Sequence, residues 1–204
     1  MPPAGVNPSM KRYVLLLSCM VLALGASVSL AHPGSRLDSP TTAPTCTADD
    51  GSNGDDNSSD DNGSGDRSAR IADDSGDFDG SEGDDQAEGD QGDNHLSGHQ
   101  GDDQECGQEG DDEMDGGSGA DDLDGGPGDD TIAGGPGDDT EFGRSGHDVL
   151  KGGSGSDHIL AGPGADQIRV RDGHRDLVRC GGGTDTVTAD AMDKIASDCE
   201  NVDD

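Results

Sequence analysis

The sequence predicts an all-β fold, a solenoid in which short strands stack turn upon turn. From Gly80 to Gly152 a glycine opens every nine-residue unit, an aspartate recurs at the sixth position, and an apolar residue recurs at the eighth. Such a fixed period is the signature of repeat architectures, whose units contact only their neighbours. Only 27% of the residues are hydrophobic and 1% aromatic, which excludes an ordinary globular domain with a large core.

The N-terminal segment, residues 1–31, is predicted to be a signal peptide. Lys11 and Arg12 precede an uncharged stretch that ends in Ser29-Leu30-Ala31, with small residues at the −3 and −1 positions of a cleavage site. Cleavage would give a secreted, extracellular protein without stable membrane insertion. The alternative is an uncleaved anchor, because the stretch is just long enough to cross a bilayer.

Residues 32–79 are predicted to form a disordered acidic linker, because they are rich in Pro, Ser, Asp, Asn and Gly and have no apolar period. The whole chain has 46 acidic and 12 basic residues and a formal net charge of −34. Self-repulsion therefore opposes compaction, and nucleic acid is an unfavourable partner. Divalent cations are the natural counter-charge. The alternative is a solvated acidic tail, but a tail would not keep the acids in a fixed period.

The eighth position supplies one inward side chain per unit, on a strand of about three residues. It is apolar in most units, but it is occupied by Glu105 and Glu141, which are 36 residues apart. If alternate units stack, both glutamates fall on one side of the solenoid and the other side keeps an uninterrupted apolar row. The sheet with the glutamates should be the weaker one. A one-residue slip of Phe142 inward would cover Glu141.

The units resemble the RTX family, whose nonapeptide G-G-x-G-x-D-x-U-x binds calcium. GGSGADDLD (116–124), GGPGDDTIA (125–133) and GGSGSDHIL (152–160) match this pattern in full. The resemblance covers the predicted repeat domain, residues 80–178, and is most specific from 116 to 169. It implies a right-handed parallel β-roll or β-helix, in which six residues of each unit form a calcium-binding turn and three form a strand.

The resemblance also implies the metal ligands. Calcium takes six to eight oxygen ligands, which carboxylates and closely approaching backbone carbonyls supply. Each ion would lie between aspartates 18 residues apart, such as Asp121 and Asp139, and its binding would drive folding. The implied carboxylate ligands are Asp103, Asp112, Asp121, Asp130, Asp139, Asp148, Asp157 and Asp166. The implied fourth-position glycines are Gly119, Gly128, Gly137, Gly146, Gly155 and Gly164.

The end of the array is predicted where Arg175 takes the next sixth position, and residues 179–204 are predicted to form a C-terminal cap. An even number of cysteines would remain after signal cleavage, which favours disulfides in an exported chain. Cys180 and Cys199 flank one short segment and are the favoured pair. Cys46 and Cys106 would pair by elimination.

No enzyme is predicted, because the chain has neither a G-x-S-x-G nor an H-E-x-x-H motif. The function that the sequence favours is a secreted calcium-binding module whose folding is coupled to Ca²⁺, with a structural or interaction role and an unknown protein or cell-surface partner. One alternative is a disordered polyanion that buffers cations. The other is a non-catalytic relative of a secreted enzyme or cytolysin.

Overall fold

The computed structural model describes residues 68–70 and 76–203, and it describes side chains from residue 76 onwards. The predicted signal peptide and most of the predicted linker lie outside these residues. All regular structure in the described residues is β-strand, and no helix there is long and apolar enough to span a membrane. The strands are β1 (Ser68–Arg70), β2 (Asp77–Ser81), β3 (Gln86–Glu88), β4 (His95–His99), β5 (Gln104–Cys106), β6 (Glu113–Asp115), β7 (Asp122–Pro127), β8 (Thr131–Pro136), β9 (Thr140–Ser145), β10 (Val149–Ser154), β11 (His158–Gly164), β12 (Gln167–Arg169), β13 (Leu177–Gly183), β14 (Thr186–Thr188), β15 (Lys194–Ile195) and β16 (Asn201–Asp203).

The strands form two eight-stranded parallel sheets. Strands β1, β3, β5 and so on to β15 form the odd sheet, and β2 to β16 form the even sheet, each in sequence order. Successive strands therefore alternate between the sheets, and each strand pairs with the one that follows two places later. This arrangement is the predicted parallel solenoid.

The predicted register of 18 residues is confirmed in the regular part of the array. Leu123 pairs with Glu141 and Glu141 pairs with Ile159 in the odd sheet, and Leu150 pairs with Ile168 in the even sheet. Because side chains alternate across a strand, one register places the whole eighth position on one face. That face is the interior.

The interior has the two unequal walls that the sequence predicted. In the even sheet every inward side chain from β2 to β14 is apolar and buried: Phe78, Leu96, Met114, Ile132, Leu150, Ile168 and Val187. In the odd sheet the inward side chains include Glu105 and Glu141, which are 1% and 0% exposed. The expected slip of Phe142 is wrong. Glu141 keeps the register, and Phe142 pairs with Asp124 and lies under the Arg144 guanidinium, 5.0 Å from the ring centroid.

The two sheets extend beyond the predicted limits of 80–178. Strands β1 and β2 begin within the range predicted to be linker, because Phe78 stands in register with Leu96 and adds one more inward apolar side chain. Strands β14 to β16 continue the same sheets through the range predicted to be a cap, where Val187 pairs with Val202. Val202 is 42% exposed, since no further strand covers it in the described residues.

The C-terminal turns contain one ten-residue unit. Up to β12 paired residues are 18 apart, but His158 pairs with Leu177 and Gln167 pairs with Thr186, which are 19 apart. The prediction that Arg175 ends the array is therefore wrong. The extra residue leaves Arg175 exposed and places Asp176 in the buried position of the turn.

The disulfide between Cys180 and Cys199 is confirmed. It joins β13 to the segment between β15 and β16, so it closes the last turn of the solenoid on itself. Cys106 is also disulfide-bonded. Its predicted partner, Cys46, lies outside the described residues.

Candidate metal centre

The sixth-position residues form two rows, one along each edge of the solenoid. Each residue of the first row immediately precedes a strand of the odd sheet, and each residue of the second row precedes a strand of the even sheet. All of them are buried, with 0–5% of the residue exposed. The first row is Asp85, Asp103, Asp121, Asp139, Asp157 and Asp176. The second row is Asn94, Asp112, Asp130, Asp148, Asp166 and Asp185.

Each row is held together by hydrogen bonds from backbone to carboxylate. In the first row the backbone N–H of Asp121 donates to Oδ1 of Asp139 at 3.0 Å, and the N–H of Asp139 donates to Oδ1 of Asp157 at 3.0 Å. In the second row the N–H of Asp130 donates to Oδ1 of Asp148 at 3.0 Å. The predicted pairs 18 residues apart are therefore adjacent, and one oxygen of each carboxylate is used within the protein.

The second oxygen of most of these carboxylates is buried and has no hydrogen-bond partner. These atoms are Oδ2 of Asp103, Asp112, Asp121, Asp130, Asp139, Asp148, Asp157, Asp166, Asp176 and Asp185. Buried polar atoms in proteins nearly always have a partner, and an unpaired buried carboxylate oxygen is costly. An unpaired oxygen that recurs at the same place from Asp103 onwards fits a cation bound between the turns better than an isolated packing defect.

Burial of the rows raises the pKa of their carboxyl groups. Desolvation is the largest cause, and the charges of neighbouring aspartates add to it. The pKa rises to about 7 for Asp130, Asp139 and Asp176. It rises to about 6 for a further set, which is Asp112, Asp121, Asp148 and Asp157. Near neutral pH these sites therefore need either protons or cations to remain buried.

The predicted fourth-position glycines lie where adjacent turns approach most closely. A Cβ at Gly137, where φ is +158°, would overlap the carbonyl oxygen of Gly119 in the preceding turn. The same overlap occurs for the other predicted glycines, namely Gly119, Gly128, Gly146, Gly155 and Gly164. Side-chain-free turns therefore let backbone carbonyls lie against the next turn, as the ligand prediction requires.

In the first two turns, the side-chain oxygen that is unpaired in the later turns accepts a hydrogen bond from the backbone. Oδ2 of Asp85 accepts a hydrogen bond from the N–H of Ser81 at 2.6 Å, and Oδ1 of Asn94 accepts one from the N–H of Asp90 at 2.8 Å. From the third turn to the turn of Gly162 the second position adopts a positive φ, even where it is His99, with φ of +77°. The repeated free oxygen accordingly begins at Asp103.

The donor set fits calcium better than a transition metal. The available atoms are carboxylate oxygens and backbone carbonyls, which are the hard ligands that calcium prefers. In the described part of the chain no three His, Cys, Asp or Glu side chains converge as a ready metal centre. An ion would therefore be held by aspartates of two adjacent turns, with backbone carbonyls completing its coordination.

Two aspartates were missed by the sequence argument. Asp176 and Asp185 continue the rows, since the N–H of Asp157 donates to Oδ1 of Asp176 at 2.8 Å and the N–H of Asp166 donates to Oδ1 of Asp185 at 2.9 Å. A strict nine-residue frame cannot find them across an insertion. The signal that could have found them is the recurring Asp-x-Val at 176–178 and 185–187.

Comparison with known families agrees with this geometry. The model of the RTX calcium-binding nonapeptide repeat, described as four copies, matches residues 78–104, 107–141 and 142–177. No significant match was found among curated proteins or among solved structures.

Proposed function

Residues 78–177 of this chain belong to the RTX calcium-binding nonapeptide repeat family, and from this premise we propose that the protein is a secreted calcium-binding β-solenoid whose folding is coupled to Ca²⁺. The repeats indicate a calcium-binding structural role. The coupling to folding, the secretion and the absence of catalysis are parts of the proposal.

The observation that carries the proposal is the pair of aspartate rows, in which every carboxylate from Asp103 onwards has an unpaired buried oxygen. Strands in a sheet are about 4.8 Å apart, so successive carboxylates of one row lie close together. With all of them ionised and no cation present, desolvation and mutual repulsion both destabilise the fold. Calcium between adjacent turns removes both penalties and is bound only by the folded chain, so binding stabilises folding.

Secretion is supported by the predicted signal peptide and by the disulfides. The Cys180–Cys199 disulfide is the kind of bond that persists in an oxidising compartment. Extracellular calcium is millimolar, and extracellular modules bind calcium with dissociation constants of about 10⁻⁴–10⁻³ M. A solenoid that binds calcium with dissociation constants in this range would remain unfolded inside the cell and fold after export.

A structural or interaction role is favoured over catalysis. From Asp103 onwards the carboxylates recur at the same place in each turn, and such an array of sites suits ion binding and scaffolding better than chemistry at one centre. The serines of the repeats, such as Ser118, occupy turn positions in the nine-residue frame.

Circular dichroism of the full chain tests the coupling. The chain is first freed of metal at pH 8, then compared in chelator, in millimolar calcium and in millimolar magnesium. We expect a β-sheet spectrum only with calcium, because magnesium is smaller and retains its own waters. Calorimetric titration should show saturable calcium uptake. A β-sheet spectrum in chelator identical to that in calcium would overturn the coupling, and absence of uptake would overturn calcium binding itself.

Small-angle scattering separates this function from the cation buffer. A folded solenoid is compact in calcium, so the radius of gyration should fall on its addition. A disordered polyanion that only buffers cations would bind calcium without acquiring the β-sheet spectrum.

A further inference from the structure

Glu105 and Glu141 occupy positions that a solenoid of this kind fills with apolar side chains. Both are buried, with exposures of 1% and 0%. Both oxygens of Glu105 and Oε2 of Glu141 have no hydrogen-bond partner. A glutamate that merely filled space in this interior would leave these oxygens buried without hydrogen bonds, at a high cost in free energy. A leucine at the same position would avoid that cost.

The contacts of Glu141 direct its carboxylate towards the first aspartate row. Oε1 of Glu141 accepts a hydrogen bond from the backbone N–H of Gly134 at 3.2 Å. Gly134 is also the residue against which the carboxylate of Asp139 packs, since a Cβ on it would lie 2.5 Å from Asp139 Oδ2. The two carboxylates therefore converge on one glycine of β8, and each has an unpaired buried oxygen.

Glu105 has the equivalent place two repeat pairs earlier, because it pairs with Leu123, which in turn pairs with Glu141. Each glutamate is the second residue after a first-row aspartate, Asp103 or Asp139, and its side chain is buried on the inward face of the odd sheet. Both glutamates thus lie next to the first row.

We infer that Glu105 and Glu141 are additional calcium ligands, each reaching from the interior to an ion of the first row beside Asp103 and Asp139 respectively. This inference rests on the proposed calcium binding and adds to it a second class of site. The second row serves as an internal comparison, because the inward residues on the strands that follow it are all apolar. Ions held by an added carboxylate should bind more tightly than the others, because affinity follows the charge and number of the ligands.

The test is a calcium titration of the full chain at pH 8 by calorimetry and chelator competition. We compare the wild type with Glu141→Leu, Glu141→Gln and the double variant Glu105→Leu/Glu141→Leu. The wild type should show a tight and a weaker class of sites. Each leucine substitution should weaken part of the tight class by about tenfold or more, the range seen when groups supporting a metal are lost. Glu141→Gln keeps an oxygen ligand without the charge and should fall between.

Ile159→Leu is the matched control, because Ile159 is buried in the same inward row and pairs with Glu141. This substitution should leave the affinities of both classes of calcium site unchanged. If the glutamates are only buried acids, Glu141→Leu will instead remove a desolvated carboxyl, and the protein will fold at lower calcium with its tight sites intact. That result, or a single uniform class of sites in the wild type, would overturn the inference while leaving calcium binding in place. A wild type that takes up no calcium would contradict the proposed function itself.

Discussion

Asp121 and Asp139 are joined by a hydrogen bond from the backbone N–H of Asp121 to Oδ1 of Asp139, while Oδ2 of Asp139 is buried without a partner. One oxygen of this carboxylate thus has a hydrogen-bond partner within the protein, and the other has none. The bond sets the spacing of adjacent turns, and the second oxygen is left for a ligand from outside the chain. Because the same relationship recurs along both rows, stability should depend on what neutralises these oxygens.

Protons should partly replace calcium. Burial raises the pKa of Asp130 and Asp139 to about 7 in the folded chain, from an ordinary value of 3.8. The folded form therefore binds protons more tightly than the unfolded chain. This contribution to stability is fully present below about pH 4 and is lost as pH rises through 6 to 7. We expect the metal-free protein to gain β-sheet signal when it is acidified from pH 8 to pH 5, as measured by circular dichroism.

Metal must be removed on a chelating resin for this experiment, because soluble chelators lose affinity in acid. Loss of β structure on acidification, or no change, would contradict the assigned direction of the pKa shifts.

Neutralising one row aspartate should weaken calcium binding without weakening the metal-free fold. Asp130→Asn retains an oxygen that can accept the hydrogen bond from the N–H of Asp112, which is 2.9 Å long. It removes a charge that binds calcium and that destabilises the metal-free state. We expect calcium affinity at the adjacent sites to fall by about tenfold, while the urea midpoint of the acidified, metal-free protein is unchanged, because Asp130 is already protonated there.

Asp129→Asn is the control, because Asp129 is the preceding residue and is exposed. It should change calcium affinity far less than Asp130→Asn. Equal effects of the two variants would mean that general negative charge, rather than the buried row, attracts the ion.

The turn glycines should be required even with calcium in excess. Gly135 has a φ of +107°, and a Cβ there would overlap the carbonyl oxygen of Gly117. Gly135→Ala should therefore cost at least about 2 kcal/mol from backbone strain alone, measured by urea unfolding in saturating calcium. Gly182→Ala should be nearly neutral, since no atom lies within 4 Å of the added Cβ. A similar loss for both would mean that chain flexibility, not close packing of turns, explains the glycines.

The sequence predicts the sheets well because the nine-residue period determines both which strands pair and which side chains face inward. Nine residues per unit place Leu123 and Glu141 side by side in one sheet and place Leu150 and Ile168 in the other. A fixed period cannot, however, predict an insertion. Because one unit has an extra residue, the nine-residue frame assigns Arg175 to the row position that Asp176 occupies.

Periodicity also distinguishes only inward from outward side chains. It placed Glu141 inward, but it could not show that the carboxylate turns towards Gly134 of β8, because that direction depends on the side-chain conformation of Glu141. The expected slip of Phe142 failed for a related reason. Register is shared with both neighbouring strands, so one strand cannot shift without losing its pairs with Leu123 and Ile159.

The Cys180–Cys199 disulfide should stabilise the last turns more than the centre of the array. It closes a loop across 19 residues of sequence, for which chain entropy predicts about 3 kcal/mol. In a solenoid each turn contacts only its neighbours, so the loss should remain local. The double variant Cys180→Ala/Cys199→Ala should show faster hydrogen exchange in β15 and β16 but little change in β8 to β10. The double variant is preferable to a reducing agent, which would also break the disulfide of Cys106. Uniformly faster exchange along the solenoid would instead show that the turns unfold as one cooperative unit.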